Sequence, residues 1–223
     1  MANQNILTTS AIDDEIRIAT IEGRDIDFAG KTLPGLSLQK KVIEQTLNLE
    51  GATILSTISL EEAVFKKGIK AKGAQINGSF YLGSAQVDGN LEFSEIRIRG
   101  GMNFVEAMVA GNLNLDNLQA DGFVSLSRAQ LKKDVSLKNM NIRDSYQAGL
   151  VIKGDVYLRE AVIAGNLDLT GSSIEGTLDI MQIFVGGNLI LEKTKIANYL
   201  ICKKAIIKGK FNLNKTNYKE IIN

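Results

Sequence analysis

The chain has 223 residues, of which 44% are hydrophobic and 23% charged, with a formal net charge of +1. This is the balance of a folded protein rather than a disordered one, and it argues against a strongly polyelectrolyte partner. With no histidine and a single cysteine, His-based acid–base work, His metal ligation and an intramolecular disulfide are excluded.

The opening segment MANQNILTTSAIDDEIR lacks a basic stretch followed by a long apolar run, so it does not read as a signal peptide. No stretch approaches the roughly 18 consecutive apolar residues of a membrane span. The expected setting is therefore cytoplasmic, with no membrane span. Residues 1–13 read as an N-terminal extension or cap.

From residue 14 the chain repeats. Units at 14–23 and 24–33 keep a beat of five, carried by Ile16, Ile21 and Ile26 and by Ile18, Phe28 and Leu33. The period then settles at eleven; from residue 78 the units read GSFYLGSAQVD, GNLEFSEIRIR, GGMNFVEAMVA and GNLNLDNLQAD. A fixed short period with apolar residues at fixed offsets is the signature of a solenoid. Positions 3, 5, 8 and 10 of each unit are apolar or small, as in Leu113, Leu115, Leu118 and Ala120. The pairs 3/5 and 8/10 have the period of two that a strand requires, and no run of period 3.6 develops to suggest a helix. Position 1 is usually glycine (Gly78, Gly89, Gly100, Gly111), which fits a corner needing positive φ rather than a phosphate cradle.

Several patterns favour a coil of two units, 22 residues, over one of eleven. Position 8 alternates small and large through Ala85, Ile96, Ala107, Leu118, Ala129 and Met140, and Gly-Asn corners recur at Gly89, Gly111, Gly165 and Gly187. At about 4.8 Å per rung, nine to ten coils make a rod roughly 45 Å long. The pattern stumbles at Asp144–Lys153, one residue short of a unit. This stretch reads as a bulge or tightened corner, or as a kink that shapes a binding surface. The repeat resumes at Gly154 and runs to Tyr218, which leaves 219–223 as a C-terminal tail.

Faces such as Ala161-Val162-Ile163 and Ala129-Gln130-Leu131, with the five-residue beat near the N-terminus, resemble the pentapeptide-repeat proteins and their A(D/N)LXX units. The resemblance spans roughly residues 14–218, with one residue added at alternate corners. It implies a right-handed, four-faced parallel β-helix, all-β. Some members act as DNA mimics that bind topoisomerases; such mimicry depends on an acidic rod, from which this near-neutral chain departs.

Chemistry is sparse. Cys202 falls at inward position 5 and reads as a core residue. Gly30-Lys31-Thr32 ends like a phosphate-binding loop, but Gly23 is wrongly spaced and no helix is expected to follow. No catalytic, metal or cofactor site is expected, and the chain reads as a non-enzyme. Outward apolar residues at position 9 read as Val42, Val64 and Met108 before the break and, on a different strand set, Val162, Phe184 and Ile206 after it, with Ile190 and Ile201 nearby. Such a stripe marks a partner surface, or else a scattered neutral set. Residues 1–60 carry five basic against eight acidic side chains, whereas residues 187–223 carry eight lysines, Lys203, Lys204, Lys208 and Lys210 among them, against two glutamates. The basic end is either solvated or associates with an acidic end or an anionic surface. Nucleic acid is the poorer fit, because arginine is absent there and aromatics are few. The reading is a protein-interaction or scaffold rod, alternatively a self-assembling element with an end-to-end dimer as one form.

Overall fold

A computed structural model describes residues 6–147 and 150–223; the first five residues of the expected cap, and Ala148 and Gly149 of the expected irregularity, lie outside the described residues. Each eleven-residue unit supplies two strands of two residues, at positions 3–4 and 9–10, separated by corners. The strands stack into four parallel sheets. The first face runs from Ile26–Asp27 to Phe211–Asn212, and the second from Thr32–Leu33 to Lys195–Ile196. The third runs from Leu36–Ser37 to Glu220–Ile222, and the fourth from Val42–Ile43 to Ile206–Ile207. Partners such as Gln75↔Arg97 and Gln86↔Met108 are 22 residues apart, and about nine coils result. The first coil is a residue shorter, Ile26 facing Leu47, because the unit at 24–33 has ten residues.

Stacking in register places like on like. Inward positions 3, 5, 8 and 10 form one continuous core, with Leu115, Leu169, Ile54 and Phe93 fully buried. Phe80, Phe93 and Phe104 meet inside it at centroid separations of 5.1 to 6.1 Å. Position 8 turns polar at Ser172 and Thr194, both fully buried. Their hydroxyls donate to the Leu137 and Leu169 carbonyls at 2.6 and 2.8 Å, so the core carries them without an unmet hydrogen bond.

The corners revise the expectation for glycine. Positive φ is required at position 7, and at position 1 only Gly122 has it (φ 147°): it recurs at position 7 in every unit from Gly30 to Lys215, at residues as unlike as Glu62, Asn117, Arg128 and Lys204. The position-8 amide closes this turn onto the position-5 carbonyl, as in Ala107 N–H to Phe104 O at 3.0 Å. A type II turn demands φ > 0 at that third residue. Position-1 glycines serve close approach instead. A Cβ at Gly111 would lie 2.3 Å from the carbonyl oxygen of Gly89 in the coil before, whereas one at Gly73, in the left-handed position, would meet nothing within 4 Å.

The residue after the corner glycine explains the Gly-Asn pairs. Asn112 N–H donates to Asn90 Oδ1 (3.0 Å), Asp134 N–H to Asn112 Oδ1 (3.3 Å) and Asn166 N–H to Asp134 Oδ1 (2.6 Å). Asn188 N–H donates to Asn166 Oδ1 (2.8 Å), continuing the ladder. Each side chain thus satisfies a corner amide of the next coil.

Three boundaries differ from the sequence reading. Residues 14–23 are not a repeat unit but part of a helix, α1 (Thr9–Glu22), which packs on the first strand. Thr8 Oγ1 accepts from Ala11 N–H at 3.1 Å as N-cap, and Gly23 closes the helix at φ 68°. Ile12 and Ala19 face the core with Ile16 partly buried beside them, while Ile21 is 73% exposed. The spacing i, i+4, i+7 therefore prevailed over the five-residue beat. The break at 144–153 is not a shortened unit. It is a ten-residue excursion whose antiparallel strands Ser145–Gln147 and Leu150–Ile152 pair outside the coil, so Val124 faces Val156 across 32 residues. The tail is also structured: Glu220–Ile222 pairs with Tyr199–Ile201.

Gly111→Ala should destabilise by about 1–3 kcal/mol through overpacking against backbone, while Gly73→Asn, matching Asn117 in the same column, should change thermal stability by less than half as much. Leu169→Lys should cost more than either, because a charge enters a stack with no partner; limited proteolysis near residue 169 and a lowered denaturation midpoint would register it.

Candidate interaction surface

Strand geometry sends positions 4 and 9 outward, so each face carries one outward column. Three columns are largely polar: Asn48, Lys70 and Glu92 on the first face, Gln75, Arg97 and Gln119 on the second, Ser59, Asn103 and Ser125 on the third. Asn and Asp at position 4 brace the following turn, Asn114 Oδ1 accepting from Asp116 N–H at 2.9 Å.

The fourth face differs. Its column reads Val42, Val64, Gln86, Met108, Gln130, Val162, Phe184, Ile206, each residue directly paired with the next. Val42, Met108, Val162 and Ile206 are each more than 40% exposed. The sequence reading placed the residues before and after the break on different strand sets; the structure corrects this. The ten-residue hairpin leaves and returns at one corner, preserving phase, so the apolar residues form one column along the rod. The clue was available, since deleting 144–153 leaves an unbroken register of eleven.

Ile190 and Ile201 do not join that column. Ile190 lies on the first face between Asp168 and Asn212, and Ile201 on the third between Asp179 and Ile222. Lys203 and Lys204 stand at the corner before Ile206, and Lys208 and Lys210 at the corner after it, all exposed. The two halves of the face differ electrostatically. In the N-terminal half the rims pair internally: Lys40 with Glu62 (3.6 Å), Lys66 with Asp88 (3.5 Å) and Arg128 with Glu106 (2.8 Å). Among the described residues, no carboxylate lies within 4 Å of Lys203, Lys204, Lys208 or Lys210.

Two other regions hold polar groups that the sequence did not single out. On the third face Asp179 is 2% exposed, and Arg159 donates to its Oδ2 at 2.6 and 3.1 Å. Tyr157 donates to Asp155 at 2.7 Å; burial, reinforced by that carboxylate, pushes its hydroxyl up to about 12. Burial, with Asp179 adding, pushes the Cys202 thiol up to about 11, which suits a core residue. Beside the hairpin an open groove of about 590 Å³ is lined by Asn77, Arg99, Asp121, Arg143, Asp144, Ser145 and Glu175. Within it Arg143 pairs with Asp121 (2.5 Å) and Glu175 accepts from the Asp144 backbone N–H (2.9 Å), while Asp144 also pairs with Lys153 (2.7 Å). Among the described residues, no group of three or more His, Cys, Asp and Glu side chains is placed to hold a metal ion, and no helix is long and apolar enough to cross a membrane.

Compared with known proteins, the chain matches no family model and no curated protein. What the geometry defines is a class of architecture: a parallel β-solenoid with four sheets and turns of about 22 residues, as in a pentapeptide-repeat fold.

The raised pKa of Tyr157 means that its contribution to stability is complete below pH ~10, the ordinary tyrosine value, and is lost as pH rises toward 12. Tyr157 should titrate near pH 12 by ultraviolet difference spectroscopy, and Tyr157→Phe should remove that step. Cys202 should resist a thiol reagent at pH 8 until the protein is unfolded.

Proposed function

We propose that this protein is a non-enzymatic interaction or scaffold module, a pentapeptide-repeat variant whose fourth face is its docking surface. The observation that carries the reading is the apolar column from Val42 to Ile206, set against three columns that are largely polar. Apolar side chains left in water, contiguous at Val42 and Val64 and again over Val162, Phe184 and Ile206, favour a partner that covers them. A stacked sheet offers such a surface without reorganisation, so little ordering cost accrues on binding. The paired charges of the groove beside the hairpin support a structural role there.

A second reading, self-assembly, draws on the uneven charge: the acidic helix α1 with Asp13, Asp14 and Glu22 at one end, and the unpaired lysines at the other. Opposite ends of two rods attract at low ionic strength.

Sedimentation velocity at several protein and salt concentrations separates the two. Docking of another protein predicts a concentration-independent rod that retains a partner in affinity capture, and Phe184→Asp should release that partner while leaving the melting temperature within a few degrees. Salt-sensitive growth of the sedimentation coefficient, unchanged by Phe184→Asp, would instead establish assembly through the ends.

A further inference from the structure

The fourth face has a size, a spacing and a charge that narrow what can cover it. From Val42 to Ile206 it spans eight rungs, about 34 Å over seven steps of roughly 4.8 Å, and it is about 13 Å wide between corners. A second copy laid face to face would bury on the order of 450 Å² per side, well short of the ~800 Å² of a stable dimer. The width instead matches a single α-helix, about 10–12 Å across with its side chains.

The spacing agrees within the C-terminal half. Val162, Phe184 and Ile206 stand on successive rungs, so the outer two are about 9.6 Å apart. Residues i and i+7 of a helix are separated by about 10.5 Å along its axis. Apolar side chains at i, i+3 or i+4, and i+7 can therefore settle around Phe184. The rim on one side is smooth, Ala164 and Gly186 preceding Lys208, and this gives such a helix a flat seat.

Charge then selects the helix. Lys203, Lys204, Lys208 and Lys210 border Ile206 without an acidic partner, whereas the N-terminal rims are neutralised by their own ion pairs. Glu160 is the one acidic side chain on the rim of these three rungs. Resting on the docking reading above, we infer that the surface of Val162, Phe184 and Ile206 binds an acidic amphipathic α-helix of about three turns from another protein. Its apolar stripe lies along the column and its carboxylates meet the lysines on both rims.

The test uses the full chain and a synthetic fourteen-residue helical peptide with leucine at i, i+3, i+4 and i+7 and glutamate on its flanks, followed by fluorescence anisotropy. Saturable binding is expected, weakened at least tenfold by Phe184→Asp or Ile206→Asp, as for the central residue of an interface, and by scrambling the peptide. Val42→Asp, on the neutralised half, should leave it within about twofold. Equal binding of the scrambled peptide, of polyglutamate or of a lysine-flanked analogue would overturn the inference. Preference for phosphatidylserine-containing vesicles over the peptide would overturn it in favour of a membrane surface. No binding of the peptide, with Phe184→Asp still releasing a captured protein, sinks the acidic helix but leaves the docking reading intact. If Phe184→Asp alters neither, both fall.

Discussion

A two-residue strand can satisfy its backbone only along the rod axis, through the coils on either side of it. The core lies inward and solvent outward, so the amides and carbonyls of each coil must find partners in the next, as Phe104 N–H does in Ser125 O at 2.7 Å. That requirement locks successive coils into register, and register imposes the rest. Side chains at one position share one environment through the rod, which is why leucine stands on leucine at 91 and 113 and why corners repeat their chemistry. The same closeness of main chain to main chain excludes a β-carbon where Gly111 passes over Gly89.

The outward columns inherit this order. Because a coil cannot rotate about the axis without losing its hydrogen bonds, a column's character is written once and carried along the rod. On the first and third faces polar side chains brace the following turn, as Asn48, Asn114 and Asn103 do by accepting from an amide two residues on. The aliphatic side chains of the fourth face have no such task. Their apolar surface remains in water, at a cost of about 25 cal/mol for each Å² left uncovered.

Much of this was legible in the residues. The pairs at positions 3/5 and 8/10 gave the strand faces, and the alternation Ala85, Ile96, Ala107, Leu118 gave the 22-residue coil. Other features were hidden for physical reasons. The left-handed turn at position 7 is filled by Glu, Lys, Arg and Ser as well as glycine, so composition does not announce it; the turn is imposed by stacking against its neighbours. Helix α1 was masked because Ile16, Ile21 and Ile26 fit a beat of five as well as Ile12, Ile16 and Ala19 fit a helix, and only burial tells them apart. The surface was half legible. Val162, Phe184 and Ile206 were seen as a stripe, but its continuation to Val42 depended on knowing that the chain leaves and re-enters at a single corner. The contact of Arg159 with the buried Asp179 joins positions 20 residues apart, and no local motif marks it.

That corner has a wider consequence. Between Arg143 and Gly154 the polypeptide makes a detour, and the rungs on both sides meet as though nothing intervened: Asn141 faces Ser173, as Gln119 faces Asn141. A solenoid held by axial pairing is thus indifferent to the length of chain spent outside a bend, provided exit and return coincide. Bends of this kind are ports at which a foreign loop could be grafted, or an ancestral one lengthened, without disturbing the scaffold that displays it.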